Sequence, residues 1–341
     1  MYDSRRTDLS SSQVDDGRKR PLLSVVVALV SDTTRRPADL MHLEPCLQAL
    51  CRQSANLPVE IIVPYHSWVE GVEEFRTRFP GVHFIEVTLR FYTGRTNSHE
   101  HHHELRSRGI DAARGDIVAL TEDHGVPAPD WCQQIIAAHR RRFACIGGAM
   151  ENAIDRPLNW AVYFCDFFRY QNPVGEGESP VATDANVSYK REALLAIRAT
   201  WQERFYEPSV HAALYARGEK LALAPGMILY QRRQGLRIYT ALHERFVWGR
   251  SYGAGRGRLA KSWWRFVWTA SAPILPGLIL SRMTATAVTR RRNLVPFLKA
   301  LPLTAILVTG WVCGEVTGYV TGRSYGGFVS GARSLQKTVA K

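Results

Sequence analysis

The sequence contains no CxxC pair and only six cysteines in 341 residues: Cys46, Cys51, Cys132, Cys145, Cys165 and Cys313. That spacing excludes a zinc ribbon or a disulfide-stapled secreted scaffold and points to reduced, mostly buried thiols. Residues 1–20 lack the apolar run that a secretory signal needs; they are polar and charged, and read as a disordered arm. The loop after the first apolar segment, Val30-Ser31-Asp32-Thr33-Thr34-Arg35-Arg36, has no glycine. Its absence counts against the Gly-rich, Lys-containing loop of a nucleotidyltransferase. Acids are few beside bases, 31 against 44, for a formal net charge of +13. A balance of that sign calls for a polyanionic partner: nucleic acid, an anionic membrane, or a phosphate-bearing substrate.

What is present is enough apolar residue, 45 %, for a sizeable core. Short β-branched runs at Leu22–Val30, Val59–Val63, Val82–Val87 and Ile117–Leu120 read as buried strands. Helical spacing marks Leu40–Gln53, Val69–Phe79, Glu104–Ala113 and Trp131–Arg142 between and after them. The alternation predicts an α/β domain with a doubly wound, mainly parallel sheet. Such sheets bind ligands at the carboxyl ends of their strands, which directs attention beyond Val30, Val63 and Leu120.

The strand at Ile117–Leu120 runs into Thr121-Glu122-Asp123-His124, then a Pro-bounded loop and Trp131. On extended chain, residues two apart face the same side. Glu122 and His124 can therefore share one metal ion while Asp123 turns elsewhere or onto a ribose. Carboxylate and imidazole suit Mn²⁺ or Mg²⁺ bound together with a diphosphate. The competing reading is an acidic turn that caps the next helix.

The stretch from Ser24 to about Arg233 resembles the family 2 glycosyltransferases, which have the GT-A fold. The resemblance rests on Leu23-Ser24-Val25-Val26-Val27, on Ala113-Arg114-Gly115-Asp116-Ile117-Val118, and on Glu122-Asp123-His124 standing at the family's Asp-x-Asp metal motif. It implies metal ligation by Glu122, Asp123 and His124. Thr183 to Leu194 is similar to the family's acceptor-side segment, which implies acceptor contacts at Asn186 and Ser188. Counting back from Gly218 places Glu207 where the family has its catalytic aspartate, so Glu207 is expected to be the base of an inverting transfer. On the donor side, the second strand ends in Tyr65-His66-Ser67 where the family has acids. Tyr65 for stacking, His66 and Ser67 for hydrogen bonding, and Asp32 after the first strand are the candidates, with UDP or GDP as the family's nucleotides. The segment Asn97 to Glu104 is His-rich. It reads as the loop-to-helix edge of the donor pocket, with Arg106 near phosphate, or as a second metal site.

The second half is different. Between Arg232 and Arg265 nine basic residues stand against one acid, Glu244, with aromatics interleaved. Two apolar segments follow, Phe266 to Leu280 and Leu294 to Cys313, the latter about long enough to cross a bilayer. Basic and aromatic residues ahead of apolar segments fit a membrane interface better than a nucleic-acid groove; buried core helices are the alternative. The run Arg290-Arg291-Arg292 between the segments argues against a simple hairpin and for an in-plane or re-entrant pair. Phe246 to Arg256 resembles the linker that precedes the family's membrane helices, with glycines for sharp turns.

The expected organisation is a disordered arm (1–20), a GT-A domain (21–233), a basic amphipathic linker (234–265), apolar membrane-associated helices (266–315) and a loose basic tail (316–341). The expected activity is metal-dependent inverting transfer from a nucleotide-sugar donor to a lipid-linked or glycan acceptor, at the cytosolic face of the cytoplasmic membrane. A membrane assembly protein that binds a nucleotide sugar without turnover is the alternative, motivated by the altered acids at the strand ends.

Overall fold

The computed structural model describes residues 20–30, 40–88, 101–259 and 261–324. The arm before residue 20, Asp32, residues 97–100 of the His-rich stretch and the tail beyond 324 lie outside the described residues.

In chain order the elements are β1 (Leu23–Ala28), α1 (Leu43–Ser54), β2 (Val59–His66), α2 (Val72–Arg78), β3 (Val82–Val87), α3 (His101–Ala112), β4 (Ile117–Glu122), β5 (Gly125–Pro127), α4 (Trp131–Ala138), β6 (Cys145–Asn152), α5 (Pro157–Phe167), β7 (Gly177–Glu178), β8 (Asn186–Lys190), α6 (Arg191–Ala196), α7 (Arg198–Trp201), α8 (Glu207–Ala216), β9 (Leu221–Gln231), α9 (Ile238–Leu259), α10 (Ser262–Ser271), α11 (Leu275–Arg290) and α12 (Leu294–Thr321). The strands form one sheet in the order β3-β2-β1-β4-β8-β6-β9-β5, with β7 beside β9. β3, β2, β1 and β4 are parallel. β8 then runs antiparallel to both β4 and β6, and β6 is parallel to β9.

β1 explains the apolar run that announced it. Val25 and Val27 enter the core on one face of the sheet, and Val26 enters the core on the other. A strand covered on both faces has no solvent side to make polar. Its register sets Ala28 opposite Glu122, and the Asp123 N–H donates to the Ala28 carbonyl (3.0 Å). The acidic end of β4 therefore lies at the carboxyl edge of the parallel strands, where doubly wound sheets bind ligands.

The C-terminal part departs from expectation. The segment read as a linker is helical over Ile238–Leu259, and α12 continues past residue 315 to Thr321. The glycines read as turn residues serve helix packing instead. Gly249 and Gly253 on α9, and Gly314 and Gly318 on α12, recur every four residues and so share a helix face. The two helices run parallel with their backbones in contact: a Cβ at Gly253 would overlap the Glu315 carbonyl, and one at Gly314 the Phe246 carbonyl. Glycine inside a helix costs about 1 kcal/mol relative to alanine, and here the close approach offsets it. The first half of α12 packs on α5, with the Phe164 and Phe297 rings edge to face at 5.1 Å. The turn before α12 is tied to the same domain. The Arg290 Nη1 donates to the Gln171 carbonyl (2.9 Å), and Arg292 pairs with Glu151.

Two substitutions of the same kind separate packing from helix propensity. Gly253→Ala is expected to lower stability by about 1–3 kcal/mol through overpacking. Gly255→Ala, on a face with nothing within 4 Å, is expected to be neutral or to stabilise by up to about 1 kcal/mol. Denaturant unfolding of the full chain followed by circular dichroism measures both.

Candidate active site

A cavity of about 160 Å³ lies at the carboxyl edge of the sheet, lined by Glu122, His124, Asp184, Asp166, Arg233, Glu244 and Trp248 among others. Behind its acidic wall three elements meet, and Arg106, expected near phosphate, is buried there and does not line the cavity. Arg106 comes from α3 with 1 % of its side chain exposed; its Nη2 donates to Glu122 Oε1 (2.8 Å), and its Nη1 is paired with Asp184 Oδ2 (2.6 Å). Glu122 ends β4, and Asp184 stands in the turn before β8. His124 Nε2 lies 3.2 Å from the second Glu122 oxygen. Burial raises the Glu122 pKa, opposed by His124 and Arg106.

Glu122 and His124 thus meet at one edge of the imidazole, brought together by the turn after β4, while Asp123 lies 3.4 Å from its other edge at Nδ1. Asp123 turns inward and accepts the Val30 N–H at 3.1 Å, fastening the end of β4 to the end of β1. No cluster of three or more His, Cys, Asp or Glu with metal-binding geometry occurs among the described residues. Two protein ligands completed by phosphate oxygens and water nevertheless suit Mg²⁺ or Mn²⁺. Octahedral bonds of about 2.1 Å put neighbouring donor atoms roughly 3 Å apart, which the spacing of Glu122 and His124 matches. Charge points the same way. Arg233 is paired with Glu244 (2.7 Å) and Arg245 with Asp166 (3.2 Å to Oδ2), so the cations at the cavity are committed. A diphosphate entering beside Glu122 and Asp184 needs a further cation to offset its charge.

Glu207 opens α8, with Pro208 in the first turn. Its Oε2 accepts the backbone N–H of Asp184 (3.2 Å), which joins it to the cavity wall, and its Oε1 lies 3.2 Å from His211 Nδ1. On the far side of that imidazole, Nε2 is 3.0 Å from the Tyr189 hydroxyl. With Glu207 ionised the carboxylate only accepts, a state in which Nδ1 carries the proton and Nε2 accepts from Tyr189. Burial raises the Glu207 pKa, the His211 hydrogen bond opposes this, and the Asp184 charge adds to it.

The remaining expected site residues lie elsewhere. Asn186 is fully buried. Its Oδ1 accepts from Trp131 Nε1 (2.9 Å), and its Nδ2 donates to the carbonyls of Ala149 and Met227 (2.9 Å each). Ser188 is equally buried, between His139 Nε2 (2.9 Å) and the Ile146 carbonyl (3.2 Å). Both side chains tie β8 to its neighbours and do not line the cavity. The Tyr65 ring sits in the core with its hydroxyl on Arg76 (3.2 Å). His66 stacks on Trp68 at 3.5 Å and meets His101 at 5.1 Å, while Ser67 is exposed. Asp184 and His211 were not foreseen. The Glu-x-x-x-His spacing from Glu207 to His211 was readable as one helix face, whereas the pairing of Asp184 with Arg106 joins residues 78 positions apart and has no local signal.

Residues 42–198 match the family model of glycosyl transferase family 2. No curated protein matches the chain. Among solved structures, the chain is similar to the mannosyltransferase PcManGT from Pyrobaculum calidifontis in complex with GDP-Man and Mn2+, at 14 % identity over 91 % of this chain and 90 % of that one, with a TM-score of 0.51. It also matches a mycobacterial protein at 17 % identity over 64 % of this chain and 69 % of that one, with a TM-score of 0.39. The likeness to the mannosyltransferase is one of fold.

Removing Arg106 leaves Glu122 and Asp184 facing each other without compensation. Arg106→Ala is therefore expected to cost about 3–5 kcal/mol in urea unfolding. Asn186→Ala is expected to cost about 1–3 kcal/mol while leaving nucleotide affinity by calorimetry intact.

Proposed function

We propose that this chain, whose residues 42–198 match the glycosyl transferase family 2 model and whose fold is similar to that of a solved mannosyltransferase, is a family 2 glycosyltransferase of the GT-A fold that transfers a sugar with inversion from a nucleoside-diphosphate donor, assisted by a divalent metal ion, to a lipid-linked or glycan acceptor at the cytosolic face of a membrane. The observation that carries the reading is the convergence of Glu122, His124 and Asp184 on one cavity, with the buried Arg106 pairing both carboxylates from behind and Glu207 attached to the cavity wall. Glu122 and His124 would hold Mg²⁺ or Mn²⁺, which when bound supplies charge compensation for a leaving diphosphate. Arg106 orients Glu122 and opposes the rise that burial gives its pKa. Asp123 holds the end of β4 in place from behind.

Glu207 takes the proton of the acceptor hydroxyl. The oxygen's electron pair forms the bond to the anomeric carbon as the bond to the diphosphate breaks. His211 positions that carboxylate through Nδ1–H, and Tyr189 fixes the imidazole from its other edge. GDP-mannose is the first donor to test, because the similar mannosyltransferase is described with GDP-Man and Mn2+. The two C-terminal helices long and apolar enough to cross a membrane, Trp263–Arg290 and Leu294–Thr321, support a membrane-bound acceptor.

Slow hydrolysis of the donor by the purified full-length protein reports the chemistry without knowledge of the acceptor. Glu207→Gln is expected to lower kcat by about 10²–10⁴ with the donor KM unchanged. Because burial raises the Glu207 pKa, only its ionised form accepts a proton, and the acidic limb of the kcat/KM profile is expected above the ordinary carboxylate range. An unchanged rate in Glu207→Gln would contradict the assignment.

A further inference from the structure

The two apolar helical stretches satisfy the length and composition of membrane spans, yet their packing does not leave them free to span. α12 buries one stripe along its whole length: Phe297, Ala300, Thr304, Leu307, Val308, Val312, Glu315 and Tyr319. The first half of that stripe is covered by α5 of the catalytic domain, and the second half by α9. α9 carries Arg245, which is paired with Asp166 beside the cavity, as well as Arg250 and Arg256. α12 could enter hydrocarbon across its length only by taking these charged groups with it.

The opposite face of the same unit is apolar and open. On α12 it runs through Val295, Leu298, Pro302 and Ile306 at three- and four-residue steps, then over Thr309 and Cys313 to Val320. On α10, α11 and the turn between them it continues through Trp263, Trp264, Phe266, Val267, Ile274 and Leu278, in a stretch only 11 % buried. Exposed basic residues border it: Lys261, Arg282, Arg290, Arg291, Lys299 and Arg323. A helix face that is apolar along its length, carries indole rings and has a basic margin is the arrangement that lies in the headgroup plane of an anionic bilayer.

We propose that α10, α11 and α12 form an in-plane membrane-docking face, with the catalytic domain and both ends of α12 on one side of an anionic lipid bilayer. This rests on the reading of the C-terminal helices as membrane-seeking, and not on the sugar-transfer chemistry. The two can therefore fail separately.

The test uses the full chain with Cys313→Ser, which removes the exposed thiol. Glu74→Cys marks the exposed surface of α2, Arg291→Cys the turn before α12, and Thr321→Cys its far end, each as the single exposed cysteine. In sealed membrane vesicles from expressing cells, an impermeant maleimide is expected to label all three positions from the same face. Labelling of position 291 or 321 from the face opposite position 74 would mean that the helices span, and would overturn the proposal. A second arm measures partition of the purified protein onto preformed vesicles of phosphatidylcholine and phosphatidylglycerol. Phe266 and Ile274 are 74 % and 71 % exposed, so Phe266→Glu and Ile274→Glu leave the fold intact, as the melting temperature checks. Each is expected to weaken partition by about tenfold or more, and phosphatidylglycerol to strengthen it. Partition unchanged by either substitution would equally overturn the assignment.

Discussion

A buried guanidinium between two carboxylates is the constraint on which the site depends. Arg106 has almost no contact with solvent, and a cation in that position persists only if it is paired and hydrogen-bonded. Glu122 and Asp184 supply the pairing, and in doing so they draw together α3, the end of β4 and the turn before β8. Once that triangle is fixed, the other placements follow. His124 lies across Glu122, Asp123 is directed back to β1, and the backbone of Asp184 offers its N–H to Glu207. The same triangle leaves the cavity acidic, so an anionic donor needs an added cation to enter it.

The parallel half of the sheet was legible because its strands are buried on both faces, and a continuous β-branched run has few other uses. The pairing of Glu122 with His124 was expected from strand alternation, but β4 ends at Glu122 and the turn at Asp123-His124 brings the imidazole back to it. Glu207 was reached by resemblance, and the structure adds His211 and Tyr189 behind it. What sequence could not supply were contacts without a local pattern. Asn186 looks like a turn residue offered to a ligand, but its amide has three partners inside the fold. Ser188 and Tyr65 are likewise polar groups whose partners come from distant strands and helices. A buried polar side chain and a ligand-binding one carry the same letter; only the surrounding donors and acceptors distinguish them.

The glycines of the C-terminal half illustrate the same ambiguity in the backbone. Glycine permits a sharp turn and equally permits two helices to touch. The four-residue spacing on both α9 and α12 decides for contact. That contact joins a strongly basic helix to an apolar one, and it carries the cavity into the C-terminal unit, since Trp248 and Glu244 of α9 line it. The apolar C-terminal face and the cavity are in this way parts of one packed assembly.

The central claim is that Glu122 and His124 hold a divalent ion together with a nucleoside diphosphate. Electron paramagnetic resonance of Mn²⁺ titrated into the full-length protein tests it directly, because the free-ion signal disappears on binding. The account predicts weak Mn²⁺ uptake by the protein alone, tight uptake at one site per chain when GDP or UDP is added, and loss of that site in His124→Ala. Nucleotide binding that is indifferent to Mn²⁺, or a site that survives in His124→Ala, would contradict it.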